Sequence, residues 1–351
     1  MKKILLFLCC AGTFSADAQQ NNNWLQQKID SLVGVKAIPG IIAGTSSKGI
    51  RTYYTSGFAD TSSRQLLDSA TQLEIGSISK TFTAYILTAI LQQKGISDSS
   101  FIGSYLPDSV QANVPVAKIR FIELMNHTSG LPRLPDNMDA TSFNSIQPYA
   151  LYGAENLYSY LQKVVPDTSH KMTYSNLGAG LAGVLAERIS GRSYSQLLKQ
   201  YITRPFNMKY TGTTIAKNRK LSTGYLNGTI AEYWNMNILQ PAGGIKSDAG
   251  DLLTYLEYFL QHQQLQFIQS LTTPTAQLNK QIKVARGWHL LNRADQPFLV
   301  WHNGGTYGFS TFCAFHKESG NAVFVAINAF NKNQIADGLG IEIITKMLAV
   351  Q

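Results

Sequence analysis

The chain has 351 residues, enough for one large domain or two lobes with a substantial core. Hydrophobic residues make up 44% and charged residues 15%, which excludes a disordered chain. The formal net charge is +9, but basic residues are spread along the chain without a run of about five or six, which argues against nucleic-acid binding.

Residues 1–18 are predicted to be a signal peptide. Lys2 and Lys3 supply the positive start, the apolar run Ile4–Ala11 is too short to span a bilayer, and small residues flank a cleavage site after Ala18. We therefore expect cleavage after Ala18 and export to the periplasm or the cell exterior. No later apolar run is long enough for a membrane span.

Cysteine usage limits the possible metal and redox chemistry. Cys9 and Cys10 fall in the predicted signal peptide, where the bulky residues before them disfavour a lipidation site. Only Cys313 remains in the mature chain, so neither an internal disulfide nor a cysteine zinc site is expected. No metal and no cofactor are predicted, and the glycines do not follow a nucleotide-binding spacing.

The secondary structure is predicted to be strands at both ends of the chain and helices between them. An amphipathic helix, Trp24–Val33, precedes two strands, Gly40–Thr45 and Arg51–Phe58, which are joined by a turn. Apolar helices follow Ser77, Asn176, Ser193 and Asp248. The C-terminal part is predicted to form four strands and a closing helix: Val284–Leu290, Phe298–His302, Phe309–His316, Ala322–Asn328 and Ile335–Leu348.

Ser77 and Lys80 are the first candidate catalytic pair. They lie three residues apart at the start of an apolar helix that ends at Gly95, so their side chains share one face. A serine hydroxyl needs a base to take its proton, and a lysine in a dry site can have its pKa lowered enough to serve. The unpaired N–H of Ser77 can face a developing oxyanion.

Tyr174 and Asn176 form a second candidate pair at another helix start. Tyrosine can relay a proton if nearby cations lower its pKa, and asparagine can hold a substrate amide and orient Lys80. His127 lies in a Gly- and Pro-containing turn before them, where fixing the loop is a better interpretation than catalysis. The irregular stretch 133–154 is predicted to be a wall or lid.

The third feature is His302-Asn303-Gly304, at the end of a predicted strand. Glycines in a strand let another backbone or a ligand approach closely, and a backbone N–H there can complete an oxyanion hole.

In this order, Ser77-x-x-Lys80, Tyr174-Ser175-Asn176 and His302-Asn303-Gly304 resemble the serine β-lactamase and penicillin-binding-protein family. The resemblance is to its class C branch, with the related D,D-peptidases, D-aminopeptidases and esterases, and it covers about residues 24–350. It implies an α+β fold in which an antiparallel sheet flanked by helices lies beside a mostly helical lobe, with the active site between them. The sheet lobe would comprise about 24–75 and 240–351, and the helical lobe about 76–239.

The resemblance also implies a role for each candidate residue. Ser77 would be the acylated nucleophile, Lys80 its base and Tyr174 the proton relay. The N–H groups of Ser77 and Gly305 would form the oxyanion hole. The predicted substrate-binding residues are Asn176, His302, Asn303 and Gly304.

His302 departs from the class C pattern, in which this position is a lysine. Histidine is mostly uncharged at pH 7, so a substrate carboxylate and an ionised tyrosine should both be stabilised less. Three functions remain open. The chain is an exported hydrolase of β-lactam or D-amino-acid peptide amides, an esterase with the same site, or an acylated sensor without turnover. The expected partner is a small molecule or a peptidoglycan-type peptide, not a nucleic acid.

Overall fold

The computed structural model describes residues 14–138, 145–293 and 296–349. Residues 1–13, most of the predicted signal peptide, and residues 139–144 of the predicted loop lie outside these ranges. The predicted cleavage point after Ala18 falls in the first described helix. Within the described ranges, no helix combines the length and the apolar character that crossing a membrane requires.

Strands come from both ends of the chain, and most of them join one sheet. In chain order the described strands are β1 (Gly40–Ser47), β2 (Ile50–Asp60), β3 (Gln65–Leu66), β4 (Leu73–Glu74), β5 (Gly224–Leu226), β6 (Thr229–Ala231), β7 (Lys246–Ser247), β8 (Ala276–Gln277), β9 (Ile282–Val284), β10 (His289–Arg293), β11 (Gln296–Gly305), β12 (Ser310–His316) and β13 (Asn321–Ile327).

The main sheet has the order β3-β2-β1-β13-β12-β11-β10-β9-β8, and every pairing between neighbours in it is antiparallel. The N-terminal strands join the C-terminal ones where Ile41 of β1 pairs with Ile327 of β13. In the described strands β4 and β7 form a separate short pair beside the sheet, as do β5 and β6.

Helices cover both faces of the sheet and fill the middle of the chain. In chain order they are α1 (Phe14–Lys36), α2 (Ser79–Gln93), α3 (Asp108–Gln111), α4 (Val114–Ala117), α5 (Phe121–Met125), α6 (Ala154–Leu161), α7 (Asn176–Ser190), α8 (Tyr194–Leu198), α9 (Gln240–Gly243), α10 (Ala249–Gln261), α11 (Gln266–Thr272) and α12 (Asn333–Ala349).

The core lies in two layers separated by the sheet. Successive side chains on a strand point to opposite faces, so Ile41 and Ile42 of β1 enter different clusters. Ile41 joins the smaller cluster with residues of α1 and α12, and Ile42 joins the larger one with α2, α7 and α10. In the larger layer Phe82 of α2 stacks on Tyr255 of α10, with ring centroids 4.0 Å apart. This packing holds the start of α2 against α10.

Two helix ends match the sequence signals. Gly95 and Gly191 both adopt positive φ, 67° and 69°, just beyond α2 and α7. Ser247 and Asp248 are both candidate caps of α10 by sequence, and Asp248 is the one used, since its side chain accepts a hydrogen bond from the Asp251 N–H at 2.8 Å.

The predicted strand Val284–Leu290 is wrong. The chain there forms the end of β9 and the start of β10, separated by a turn at Gly287 with φ of 75°. A Cβ on Gly287 would lie 2.7 Å from the Lys80 carbonyl oxygen, so this turn packs directly against α2. The predicted strand Phe298–His302 is too short, because β11 continues to Gly305.

Candidate active site

Ser77 occupies a 3₁₀ turn, Gly76–Ile78, that leads directly into α2. It is partly exposed, whereas the residues flanking it are buried. Gly76 has φ of +53°, and a Cβ there would lie 2.7 Å from the Gly305 nitrogen. Only glycine fits that position, and its small size brings the end of β11 beside the nucleophile.

Lys80 lies one helical turn along α2, and its side chain points back to Ser77. Nζ donates to Ser77 Oγ at 3.0 Å and to the Ala242 carbonyl oxygen of α9 at 2.6 Å. Lys80 is only 2% exposed. Burial, aided by the positive charge of Arg133, holds the pKa of the Lys80 ammonium well below its ordinary value. A neutral amine at this distance can accept the serine proton.

Tyr174 precedes α7 and completes a cluster around the serine hydroxyl. It shares a side-chain hydrogen bond with Ser77, and Lys80 Nζ lies 4.8 Å from the centroid of its ring. Burial raises the pKa of Tyr174 to about 12, against the opposing effects of the Ser77 hydrogen bond and the Arg133 charge. The role predicted from the sequence requires nearby cations to lower the pKa of Tyr174, but burial raises it instead. Tyr174 is therefore a neutral phenol at pH 7.

His127 supports this cluster from below. The centroids of the His127 and Tyr174 rings are 4.5 Å apart, and His127 Nδ1 accepts a hydrogen bond from the Ser175 N–H at 3.2 Å. A neutral His127 therefore carries its proton on Nε2. Burial, with the charge of Lys80, keeps the pKa of His127 well below its ordinary value. These contacts match a loop-fixing role.

Asn176 opens α7, and its backbone N–H donates to the Arg133 carbonyl oxygen at 3.0 Å. Its side chain makes no hydrogen bond to Lys80 in the described structure. The expectation that Asn176 orients Lys80 is corrected here, since the Ala242 carbonyl oxygen does so. A contact between Asn176 and a substrate amide stays a prediction.

His302 lies beneath the site rather than on its surface, with 1% of the residue exposed. Its Nδ1 is 2.6 Å from the Asn303 carbonyl oxygen, so Nδ1 donates. Its Nε2 is buried and has no hydrogen-bond partner among the described residues. Burial, and then the neighbouring His289 and Lys80, keep the pKa of His302 well below its ordinary value. His302 is therefore a neutral group at pH 7, and its contact with substrate stays a prediction.

Asn303 and Gly304 point to opposite faces of β11. Asn303 Nδ2 donates to Asp337 Oδ2 of α12 at 2.8 Å, so this amide binds α12 and does not face the nucleophile. A Cβ on Gly304 would lie 2.0 Å from the Ile75 carbonyl oxygen, so the glycine allows the close backbone approach that the sequence predicted. Neither residue's predicted role in substrate binding is tested by these contacts.

The Gly305 nitrogen lies beside the turn that carries Ser77, 2.7 Å from where a Cβ on Gly76 would be. Thr306 N donates to the Phe309 carbonyl oxygen at 2.9 Å, and hydrogen bonding alternates along an antiparallel strand. The Gly305 N–H therefore points away from β12. On the opposite side of β11 from β12, the pairing of β11 with β10 ends at Trp301, which pairs with His289. That the N–H groups of Gly305 and Ser77 form an oxyanion hole stays a prediction.

Comparison with known proteins identifies the family. The profile of the Beta-lactamase family matches residues 25–344. The chain belongs to that family. It is 30% identical over 248 residues to a β-lactamase of Providencia stuartii, covering 67% of this chain and 60% of that protein. It is 26% identical to the D-alanyl-D-alanine-carboxypeptidase/endopeptidase AmpH of Escherichia coli K12, covering 75% and 72% of the two chains.

A crystal structure of a class C β-lactamase from Rhodobacter sphaeroides shares the fold of this family member. The TM-score is 0.78 at 22% identity, over 93% of this chain and 99% of that one. The predicted α+β architecture is confirmed by this match. The chain spans about three fifths of the length of the curated β-lactamases that it matches.

Within this β-lactamase-family site, the sequence interpretation missed two groups. The Ala242 carbonyl oxygen holds Lys80, but the glycine-rich stretch 240–245 around it carries no local signal for that contact. Arg133 was included only as the first residue of an irregular stretch, yet its Cζ lies 5.2 Å from the Tyr174 ring centroid. The only available signal for Arg133 was a cation placed directly after the Gly130-Leu131-Pro132 turn.

A buried ion pair holds one wall of the site. Lys246 Nζ lies 3.8 Å from Glu74 Oε1, and both side chains are almost fully buried. The pair clamps the backbone of Trp234, whose N–H donates to Glu74 Oε1 at 2.6 Å and whose carbonyl oxygen accepts from Lys246 Nζ at 2.9 Å. The Trp234 ring in turn packs edge-on against Tyr149 and Tyr307, with centroids 5.1 and 4.8 Å away.

No group of three or more acidic, histidine or cysteine side chains suited to a metal ion occurs among the described residues.

Proposed function

We propose that this protein is a serine acyl-hydrolase that works through an acyl-Ser77 intermediate on β-lactam or D-amino-acid peptide amides. The observation that carries the proposal is the 3.0 Å contact between Ser77 Oγ and Nζ of Lys80, a buried lysine whose pKa is lowered. A nucleophile paired with a base of tuned pKa is the expected arrangement for covalent catalysis.

The reaction would start when neutral Lys80 takes the proton of Ser77 as Oγ attacks the substrate carbonyl carbon. The N–H groups of Ser77 and Gly305 would stabilise the oxyanion. Collapse of the tetrahedral intermediate breaks the bond to the leaving group, which receives the proton through the Tyr174 hydroxyl. Because its pKa is about 12, Tyr174 would pass this proton as a neutral phenol rather than as a phenolate base. Water, activated by the same groups, would then release the acyl chain from Ser77.

Intact-mass spectrometry after exposure to a penicillin or an activated ester tests this proposal. We expect a single covalent adduct in wild type and none in Ser77→Ala. Ser99→Ala, which removes an exposed hydroxyl outside the site, is the matched control and should be labelled as wild type is. An adduct that persists in Ser77→Ala would refute the assignment of the nucleophile.

Ester hydrolysis is the second candidate, and the burial of His302 favours it. His302 is neutral, so it offers no cation to a substrate carboxylate on the β11 side of the site. A neutral ester needs no such cation. Comparing kcat/KM for penicillins and for neutral aryl esters separates the two activities, and a penicillin label that never leaves Ser77 would instead indicate an acylated sensor.

We also propose that residues 1–18 direct export and are removed, leaving residues 19–351 as one hydrolase domain with a sheet lobe and a helical lobe. The lysines, the apolar run and the small residues before Gln19 support this proposal. N-terminal sequencing of the exported protein should begin at Gln19, and a protein that keeps its first 18 residues would contradict it.

A further inference from the structure

Arg133 places an exposed cation at the mouth of the site. Its guanidinium carbon lies 5.2 Å from the centroid of the Tyr174 ring. Its backbone carbonyl oxygen accepts hydrogen bonds from the N–H groups of Asn176 and Leu177 at 3.0 and 3.3 Å. The residue is therefore anchored through its backbone to the first turn of α7, while its side chain faces solvent.

Apart from the Tyr174 ring, the guanidinium has no partner among the described residues. Other arginines of this chain that are less exposed pair with carboxylates: Arg51 with Glu257, Arg219 with Asp248 and Arg286 with Asp98. The guanidinium of Arg133 joins no ion pair and no hydrogen bond among the described residues. Its five N–H donors are free to bind an anion.

The other basic groups near Ser77 cannot take this role. Lys80 must be neutral to accept the serine proton, and its Nζ is already hydrogen-bonded to Ser77 and to Ala242. His302 is buried and neutral. Arg133 is thus the permanent, solvent-facing positive charge next to the described site residues.

The position of Arg133 also selects which part of a substrate it meets. The Tyr174 hydroxyl faces Ser77 and, in the proposed reaction, the leaving group. Arg133 instead lies over the face of the ring, and its backbone carbonyl oxygen binds the N–H of Asn176, the residue proposed to hold the substrate amide. A group bound there belongs to the acyl portion, which stays on Ser77 after the leaving group departs.

We propose that Arg133 binds a carboxylate on the acyl portion of the substrate, so that this enzyme prefers anionic acyl donors. The inference rests on the proposed acyl-Ser77 function. It makes Arg133 a specificity residue, with the guanidinium fork matching the two carboxylate oxygens.

The test compares two p-nitrophenyl esters that differ by one carboxylate, those of N-succinylglycine and N-butyrylglycine. The readout is the ratio of kcat/KM for the anionic ester to that for the neutral ester. A charge-assisted bidentate contact makes this ratio fall about 10- to 100-fold in Arg133→Gln and less in Arg133→Lys, which keeps the charge but loses the fork. Any change in the pKa of Lys80 affects both esters alike and cancels in the ratio.

Arg64→Gln is the matched control, because Arg64 is exposed and lies over an aromatic ring, Phe58 at 5.5 Å, away from the site. It should leave both rates as in wild type. An unchanged ratio in Arg133→Gln would overturn the inference, as would equal losses for the two esters. A loss seen only when p-nitrophenol is replaced by the carboxylated leaving group 3-hydroxybenzoate would assign Arg133 to the leaving-group side and refute the acyl assignment.

A binding measurement separates this inference from the proposed function. If wild type hydrolyses neither ester, the hydrolase proposal fails, and Arg133 is tested by calorimetry with N-succinylglycine and the Ser77→Ala protein. We expect binding that weakens about 10- to 100-fold when Arg133→Gln is added. Equal binding by the two proteins, or none by either, would overturn the role of Arg133.

Discussion

Replacing Lys80 with methionine separates catalysis from stability. The change removes an amine that is 2% exposed and donates to Ser77 Oγ and the Ala242 carbonyl oxygen. Replacing this buried polar amine with a packed apolar chain removes a desolvation cost of about 1–3 kcal/mol. The Ala242 oxygen loses its donor, which costs about 1–3 kcal/mol. The two effects oppose each other, so the free energy of unfolding should change by less than about 2 kcal/mol.

Activity should respond very differently. Loss of the general base is expected to lower the rate of Ser77 acylation about 10²–10⁴-fold. Stopped-flow acylation by an activated ester and thermal unfolding of the same samples give the two numbers. Lys94→Met is the matched control, because Lys94 is exposed at the other end of α2. If Lys80→Met keeps more than about a tenth of the wild-type acylation rate, Lys80 is not the base.

The pH dependence provides a second check on Lys80. The base acts when neutral, so kcat/KM should rise with pH through a pKa below the ordinary lysine value of 10.5, and this rise should vanish in Lys80→Met. Between the lowered folded pKa and 10.5 the unfolded chain binds more protons at this residue than the folded chain, so wild-type stability rises with pH there. A wild-type stability curve with the same slope as that of Lys80→Met across this window would contradict the lowered pKa.

Three further substitutions probe the groups around Lys80. Tyr174→Phe keeps the ring that packs on His127, so it should unfold at the wild-type temperature while turnover falls about 10²–10⁴-fold; wild-type turnover would make the tyrosine structural. Gly76→Ala places a Cβ 2.7 Å from the Gly305 nitrogen at a residue with positive φ. The free energy of unfolding, measured in denaturant, should therefore fall by about 1–3 kcal/mol, and acylation should be lost. Wild-type values for both would refute the close approach. His302→Lys buries an uncompensated charge, so it should lower the free energy of unfolding by about 3–5 kcal/mol in the same assay. His302→Gln should lower it less. Equal stability of the two variants would show that the site admits a cation at this position.

Local signals predicted the catalytic turn well. The spacing of Ser77 and Lys80, the apolar period of α2 and the glycine stop at Gly95 all depend on neighbours within a few residues, and the structure agrees with each. The start of α7 was predictable for the same reason, since Ser175 caps it by accepting from the Gly178 N–H at 2.8 Å.

Contacts between distant segments could not be predicted in this way. The stretch Val284–Leu290 contains valine, tryptophan and leucine, which favour a strand. It turns at Gly287, which packs on the backbone of Lys80 about two hundred residues earlier in the chain. The alternation of β11 places His302 and Asn303 on opposite faces, but it does not say that α12 supplies Asp337 to bind Asn303. Both faces of this strand are covered, which removes the polar pattern that marks an exposed face.

The placement of positive charge around Ser77 follows from the needs of its base. Lys80 can accept a proton only if its charged form is disfavoured, and both burial and the field of Arg133 lower its pKa. A second cation at position 302 would have to be buried beside Lys80, whereas Arg133 keeps its own charge hydrated at the surface and acts on Lys80 from there. With a neutral histidine on the β11 side and an arginine on the α7 side, charge recognition would be carried by the α7 side of the site. A substrate whose carboxylate lies on its acyl portion would use that charge, and one whose carboxylate lies on the leaving group would not.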